Sequence, residues 1–362
     1  MHAQTLRNAY RLFIVIFRDS DPSFLQWYND GVSLPWLYHT ICSLVEQVRQ
    51  VLGLMRSGQD RYIKVQQRYR SNRQGTSMLV HWTQTDLFVN GVRLHYYRSG
   101  HGDKPALVFV HGFSDNGLCW TPVARDLEAE FDVIMPDMRG HGLSERVQLS
   151  DKVDMAADVA ELIRMLGLTR PIVVGHSMGA MITYQIGVRF PELASALVLE
   201  DPPWWLSPRG ERLPPSRPAE NPIAQWAKSL SNQTLEALLA QYRKEHPNWP
   251  EALLRPMCES KKQLDQTIVD IMTDRMHSQE VNWLTTIEHI AHPMLLFAAN
   301  PELGGIVTPD VVAKVRELNP KVRIAAIPDV GHLIRFDKYT AFMDALRAFL
   351  KQVRTGSHSL IR

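Results

Sequence analysis

The chain has 362 residues, 45% of them hydrophobic, with a formal net charge of +2. That length and apolar content suit a large α/β core, and the near-neutral charge predicts neither a nucleic-acid partner nor a strongly acidic one. The three cysteines, Cys42, Cys119 and Cys258, are scattered without a CxxC pair, which argues against a disulfide framework and against a bound metal such as zinc.

Residues 1–77 carry ten Lys/Arg against five Asp/Glu, so the positive charge collects at this end of the chain. The apolar run Leu12–Phe17 is only six residues long and lies between Arg11 and Arg18. It is too short for a membrane span of about 18–20 residues or for a signal-peptide core of about 7–15. A cytoplasmic protein without an integral span is expected. Leu37, Ile41, Leu44, Val45, Val48, Leu52 and Met55 recur at helical spacing, which predicts one amphipathic helix behind a start at Ser33 and Pro35. Arg61–Gln74 is basic and polar, like a linker. The apolar face needs a partner: the rest of this chain, a second subunit in a homo-oligomer, or a membrane surface. The alternative is that the functional protein starts at Met78.

Beyond Thr83 the pattern changes. Leu87–Val89 and Val92–Tyr97 flank Asn90-Gly91, a pair suited to a two-residue type I′ hairpin turn. Apolar runs follow at Ala106–Val110, Val133–Pro136, Ile172–Val174, Ala196–Leu199, Met294–Ala298 and Val322–Ile327. Runs apolar on both faces are what strands buried under helices look like. Helical patterns such as Met155–Leu166, Met178–Phe190 and Tyr339–Val353 separate them, so a parallel sheet with right-handed crossovers is predicted. Between Leu199 and Met294 no strand is legible. That stretch opens on seven prolines and continues with helical segments at Thr234–Lys244 and Lys262–Met276. A structureless loop of that length is implausible, so a helical insertion over one end of the sheet is expected.

Gly175-His176-Ser177-Met178-Gly179 is a G-x-S-x-G motif between a strand and a helix, the setting in which a sharp turn lifts a serine hydroxyl above a sheet edge. Such a hydroxyl needs a base. Val330-Gly331-His332 follows the last strand, at the end of the sheet where ligands bind. His111 and His141 sit in glycine-rich turns and suit structural hydrogen bonding; the side chain of His176 is expected to point away from its neighbour. The imidazole needs a carboxylate to fix its tautomer. Glu302, after strand Met294–Ala298, is favoured; Asp201, after the preceding strand, is the alternative acid, with Asp310 and Glu200 behind them. Backbone N–H groups of Phe113 and Met178 are the candidate oxyanion donors. Trp204 and Trp205 directly follow a strand end beside the site, and one of them is expected to line an apolar acyl or aromatic pocket.

These residues together resemble the α/β-hydrolase superfamily. His111-Gly112-Phe113, Asp137-Met138-Arg139-Gly140-His141-Gly142, Gly175–Gly179 and Gly331-His332 occur in its order and spacing, over about Thr83–Arg354. The resemblance implies an α/β fold with a mostly parallel eight-stranded sheet flanked by helices, and the insertion after strand six as a cap. It divides the chain into an N-terminal extension at 1–77, core at 78–201, helical cap at 202–291 and core again at 292–362. It makes the Asp137–Gly142 element a structural turn. It implies an acid after strand seven, hence Glu302, while some lipase-like members use the strand-six position of Asp201. The serine at 177 separates the chain from members that open epoxides or displace halide with an Asp. The expectation is a serine carboxylesterase for small to medium apolar acyl or aromatic esters, working through an acyl-enzyme without a cofactor. Carbon–carbon, lactone or amide hydrolysis, cofactor-free peroxidase chemistry and low-turnover ligand binding are the alternatives.

Overall fold

The computed structural model describes residues 82–204, 222–275 and 282–357. The extension at 1–77 with its expected helix Leu37–Met55, and Trp205, lie outside the described residues. The chain enters the fold through the hairpin of β1 (Thr83–Val89) and β2 (Val92–Arg98). Asn90 and Gly91 sit at φ +48° and +78°, the two left-handed positions a type I′ turn requires, and they pair Val89 with Val92.

Five residues each make β3 (Ala106–Val110), β4 (Asp132–Pro136), β5 (Ile172–His176), β6 (Ala196–Glu200) and β7 (Met294–Ala298); β8 is Arg323–Ala326. The eight strands form one sheet in the order β1-β2-β4-β3-β5-β6-β7-β8. β2 runs antiparallel to β1 and β4, and the remaining pairs are parallel. Residues of β3–β7 alternate between two apolar layers. Val108, Val110, Ile134, Val173, Leu197 and Leu296 face one, and Leu107, Phe109, Val133, Val174, Val198 and Phe297 the other. Period-two alternation with apolar residues on both sides is the reason these strands read as continuous hydrophobic runs. β8 departs from that expectation: as an edge strand it is only partly covered.

The helices follow in chain order: α1 (Thr121–Leu127), α2 (Met155–Met165), α3 (Met178–Arg189), α4 (Pro222–Asn232), α5 (Leu235–Glu245), α6 (Glu251–Lys262), α7 (Gln266–Arg275), α8 (Trp283–Thr286), α9 (Pro309–Leu318), α10 (Ile334–Asp337) and α11 (Tyr339–Ser357). α2, α3 and α9 cover one layer, α1 and α11 the other. Between β6 and β7 the described residues are helical, as the absence of strand pattern predicts. Thr234 is the N-cap of α5, its hydroxyl accepting from Ala237 N–H, as cap chemistry favours. The segment expected at Lys262–Met276 is instead the end of α6 and all of α7, broken at Gln263–Asp265. The carboxylate of Asp265 accepts Thr267 N–H at 3.0 Å and Val147 N–H at 2.9 Å, fixing a turn there. Pro256 lies inside α6, which is why that helix is hard to see in sequence. Among the described residues no helix is long and apolar enough to cross a membrane.

Candidate active site

Ser177 occupies the turn between β5 and α3 at φ +53°, ψ −117°. A non-glycine residue held there costs about 1–3 kcal/mol of backbone strain. The surroundings enforce it: Ser177 N–H donates to the Glu200 carbonyl at 2.9 Å, and the Ser177 carbonyl accepts from Ala180 and Met181 at 3.0 and 3.1 Å. The flanking glycines answer to close packing. A Cβ on Gly175 would stand 2.0 Å from the Gly179 carbonyl oxygen, and one on Gly179 would stand 2.1 Å from that of Val110. The motif is therefore as tight as its strand–turn–helix setting implies.

His332 lies in the loop between β8 and α10. Its Nδ1 is 2.6 Å from Asp201 Oδ2, and 28% of its side chain is exposed while the carboxylate is fully buried. A carboxylate can only accept, so Nδ1 carries the proton and the lone pair of the neutral ring is at Nε2. Asp201, at φ +46°, follows β6 directly. Its Oδ1 also accepts Val307 N–H at 2.9 Å, and Ile306 N–H reaches Oδ2 at 2.9 Å and Oδ1 at 3.2 Å.

The structure places Asp201, the alternative acid, on His332, and the favoured Glu302 away from it. Glu302 is exposed in a short turn, Pro301–Leu303, whose N-cap Asn300 accepts the Glu302 N–H at 2.9 Å. The turn sends the side chain outward, and the loop curls back so that its later amides, not its carboxylate, meet the site. Asp310 is exposed in the first turn of α9. Glu200 is buried and engaged by Arg335.

Phe113 follows β3, and its carbonyl oxygen is 2.6 Å from His141 Nε2. Met178 is the first residue of α3, whose N–H groups lack intrahelical partners and lie at the positive end of the helix dipole. The loop that leads to Phe113 lies against the serine turn: a Cβ on Gly112 would stand 2.8 Å from His176 Nδ1, and one on Gly179 2.6 Å from the His111 carbonyl oxygen. His111, buried, accepts Met138 N–H on Nε2 at 2.9 Å, and burial pushes its pKa down to about 3. The Asp137–Gly142 element is a turn held from within. Asp137 accepts Gly117 and Leu143 N–H groups at 2.7 and 2.8 Å, and burial pushes it up to about 6. Arg139 grips Asp158 through Nε and Nη2 at 2.5 and 2.6 Å.

Of the two tryptophans expected beside the site, only Trp204 is among the described residues. Trp204 has no accessible surface. It stacks on Trp283 at 4.9 Å and meets Tyr184 edge-on at 5.1 Å. It is a packing pillar in the core and offers no wall to a pocket. Among the described residues no cluster of His, Cys, Asp or Glu is arranged to hold a metal ion.

Sequence reasoning passed over two further features. The ring of His176, buried, packs on that of His332 at 4.6 Å, and its Nε2–H donates to the His332 carbonyl at 3.1 Å. A set of buried charges, Glu200, Arg335, Asp115 and Lys261, lies among the elements that carry the site. One signal for it was available. Leu254, Met257, Cys258 and Lys261 are spaced i, i+3, i+4, i+7, which puts a lysine on the apolar stripe of α6.

A family model described as alpha/beta hydrolase fold matches residues 105–339. The chain belongs to the α/β-hydrolase fold family. It is a hydrolase of this fold, similar along most of its length to characterised members. The N-formylmaleamate deformylase of Pseudomonas putida is 30% identical over 265 residues, 72% of this chain and 94% of that protein. The 2-(acetamidomethylene)succinate hydrolase of Mesorhizobium japonicum is 26% identical over 261 residues, 70% of this chain and 90% of the relative. In shape the α/β-hydrolase core matches the crystal structure of an N-formylmaleamic acid deformylase from Pseudomonas putida with a TM-score of 0.60. That match covers 73% of this chain and 100% of the other at 24% identity.

Proposed function

We propose that this α/β-hydrolase is a serine hydrolase that transfers an acyl group to Ser177 and then to water. Ser177 is the nucleophile, His332 the base, Asp201 the orienting acid, and the N–H groups of Phe113 and Met178 receive the oxyanion. The observation that carries this reading is the 2.6 Å contact between His332 Nδ1 and the buried Asp201 carboxylate, on the same sheet end as a serine held at φ +53°. His332 Nε2 takes the Ser177 proton as the hydroxyl oxygen attacks the acyl carbon, and the resulting negative oxygen is met by the two N–H groups. The imidazolium, stabilised by Asp201, then gives that proton to the departing alcohol or amine. Water, deprotonated by the same nitrogen, attacks the acyl-enzyme and frees the acid and the serine.

A carboxylic ester of small to medium apolar acyl or aromatic character is the first substrate reading. An N-acyl amide is the second, favoured by the activities of the two relatives, a deformylase and an acetamidomethylene-succinate hydrolase. The helices between β6 and β7 would act as the cap over either substrate. A fluorophosphonate probe followed by peptide mass spectrometry tests the nucleophile, and graded p-nitrophenyl esters set beside N-acyl amides test the bond. The adduct is expected on Ser177, and Ser177→Ala is expected to lose at least about 10³-fold in kcat while staying folded. An adduct on another serine, or full activity in the alanine variant, refutes the assignment.

A further inference from the structure

Lys261 is the least expected charge in the molecule. It sits on the apolar stripe of α6 with 3% of its side chain exposed, and its Nζ bonds Asp115 Oδ1, itself 5% exposed. Burying such a pair gives no secure gain in stability, because the desolvation of both ions offsets their attraction; a well-packed hydrophobic pair of similar volume is often as stable or more so. What a buried pair does supply is a single allowed register between the two elements that carry it.

Those elements matter here. Asp115 is two residues beyond Phe113, in the tight turn closed by Asp115 N–H on the Gly112 carbonyl at 3.1 Å. The same turn meets the end of α6 at two more points: the Ser260 hydroxyl, which donates to the Met257 carbonyl at 2.7 Å, also lies 3.2 Å from the Ser114 carbonyl, and Asn116 Nδ2 donates to Gln263 Oε1 at 2.8 Å. From the other side, His141 Nε2 contacts the Phe113 carbonyl at 2.6 Å. The charges also continue inward. Arg335 Nη2 stands 3.8 Å from Asp115 Oδ2, and Arg335 grips Glu200 through its backbone N–H at 2.9 Å and Nη1 at 2.8 Å. Anion and cation alternate along Glu200, Arg335, Asp115 and Lys261. Glu200 precedes Asp201, Arg335 is three residues after His332, and Asp115 adjoins the Phe113 turn. Burial is the largest single influence on Lys261 and lowers its pKa, but the attraction and hydrogen bond of Asp115 together with Tyr242 and Cys119 outweigh it and hold the ammonium above its ordinary pKa, while Asp115, despite its own burial, is held below its usual range by Lys261 and Arg335. Both stay charged across the working pH range.

We propose that Lys261 is a positioning residue: from the inserted helix α6 it clamps the Phe113 turn in the register that aims its N–H at the oxyanion. The proposal rests on the serine-hydrolase reading above. It makes the insertion a part of the catalytic geometry, and separates that role from any contact the insertion makes with substrate.

The decisive variant is the neutral double Lys261→Met/Asp115→Asn. It removes both charges together, so no unpaired ion is left buried, and Arg335 keeps Glu200. Loss of a whole oxyanion donor costs about 10²–10³-fold in kcat, so a displaced donor is expected to cost about 10- to 100-fold. Melting temperature, fluorophosphonate labelling rate of Ser177, and kcat and KM on p-nitrophenyl butyrate are measured side by side. The expected result is a melting temperature near that of the parent, a labelling rate and kcat down by at least about tenfold, and KM changed by less than about threefold. A double variant that labels and turns over at the parent rate overturns the clamp while leaving the serine-hydrolase reading intact. So does a loss of rate that merely tracks loss of folded protein, since that is what a structural pair would give. A parent enzyme whose Ser177 takes no label overturns both.

Discussion

Replacing Asp201 by Asn tests the site at the point where sequence and structure disagree. The structure lets the consequence be followed atom by atom. Val307 N–H and Ile306 N–H both lie within reach of Oδ1, at 2.9 and 3.2 Å. An asparagine carbonyl placed there keeps the Val307 amide and the longer of the two Ile306 contacts, while the shorter one, 2.9 Å to Oδ2, is lost, so the loop after β7 gives up one contact and keeps two. The amide nitrogen then falls at the Oδ2 position, 2.6 Å from His332 Nδ1. An NH2 group can only donate, so His332 must turn its Nδ1 lone pair toward it and carry its proton on Nε2. A ring in that tautomer cannot take the Ser177 proton. The loss known for this substitution in a serine triad is about 10⁴-fold in kcat, so about 10³–10⁴-fold is expected here, or about 4–5.5 kcal/mol of transition-state stabilisation. Glu302→Gln changes an exposed side chain without a polar partner among the described residues, and should remain within about twofold of the parent, since surface changes of this kind rarely exceed about 0.5 kcal/mol. The assay is kcat on the best ester or amide found, with melting temperatures for both variants. If Glu302→Gln loses more activity than Asp201→Asn while both stay folded, the His332–Asp201 contact is not the working one.

Stability should fall in acid. Burial holds the His111 pKa at about 3, below the usual 6.5, so the unfolded chain binds the proton more readily and stability is lost as pH falls from about 6.5 toward 3, by about 1.4 kcal/mol per pH unit for one group. His141 and His176 are held down by burial in the same sense. Asp137, pushed up to about 6, works against them between about pH 6 and 4. Urea unfolding at pH 5 and 7 should show a lower stability at pH 5, His111 losing about 2 kcal/mol and Asp137 returning about 1.3 kcal/mol over that interval, with the depressed His141 and His176 adding to the loss and the raised Asp158 and Glu200 opposing it; equal or greater stability at pH 5 would contradict this balance. Trp204→Ala removes a fully buried indole and should cost about 3–5 kcal/mol without changing the ranking of ester chain lengths, and a changed ranking would make Trp204 a pocket wall after all. Gly179→Ala sets a methyl group against the Val110 carbonyl; labelling of Ser177 should drop to background, and a normally labelled variant would show that the turn tolerates what its geometry forbids.

The strands and the turn at Ser177 were legible because each has a short-range signature. A buried parallel strand is a run of apolar residues, and the serine turn needs glycines at fixed offsets. The insertion was legible only as helical, since Pro256 hides α6 and Asp265 splits what reads as one segment. The carboxylate that meets His332 was only the second choice for a different reason. Glu302 and Asp201 both follow strand ends in sequence, and what separates them is the path of the loop after β7. Ile306 and Val307 donate their amides to Asp201, and backbone amides leave no mark in a sequence. The Asp115–Lys261 pair spans 146 residues, and its one local trace is a lysine where an apolar residue belongs.

Helices α5–α7 and the turns between them touch the rest of the molecule through polar contacts with residues near the site. Lys261 holds Asp115, Gln263 receives Asn116, Asp265 receives Val147 N–H, and Trp249 Nε1 donates to Asp337 at 2.7 Å, five residues past His332. An engineer who exchanged residues 222–275 as a cassette would therefore be replacing part of the framework along with whatever selects the substrate. Substrate range in this enzyme is better changed one side chain at a time, at insertion positions that take no part in these contacts or in those that Ser260 and the Asp265 N–H make with the Ser114 and Gly140 carbonyls.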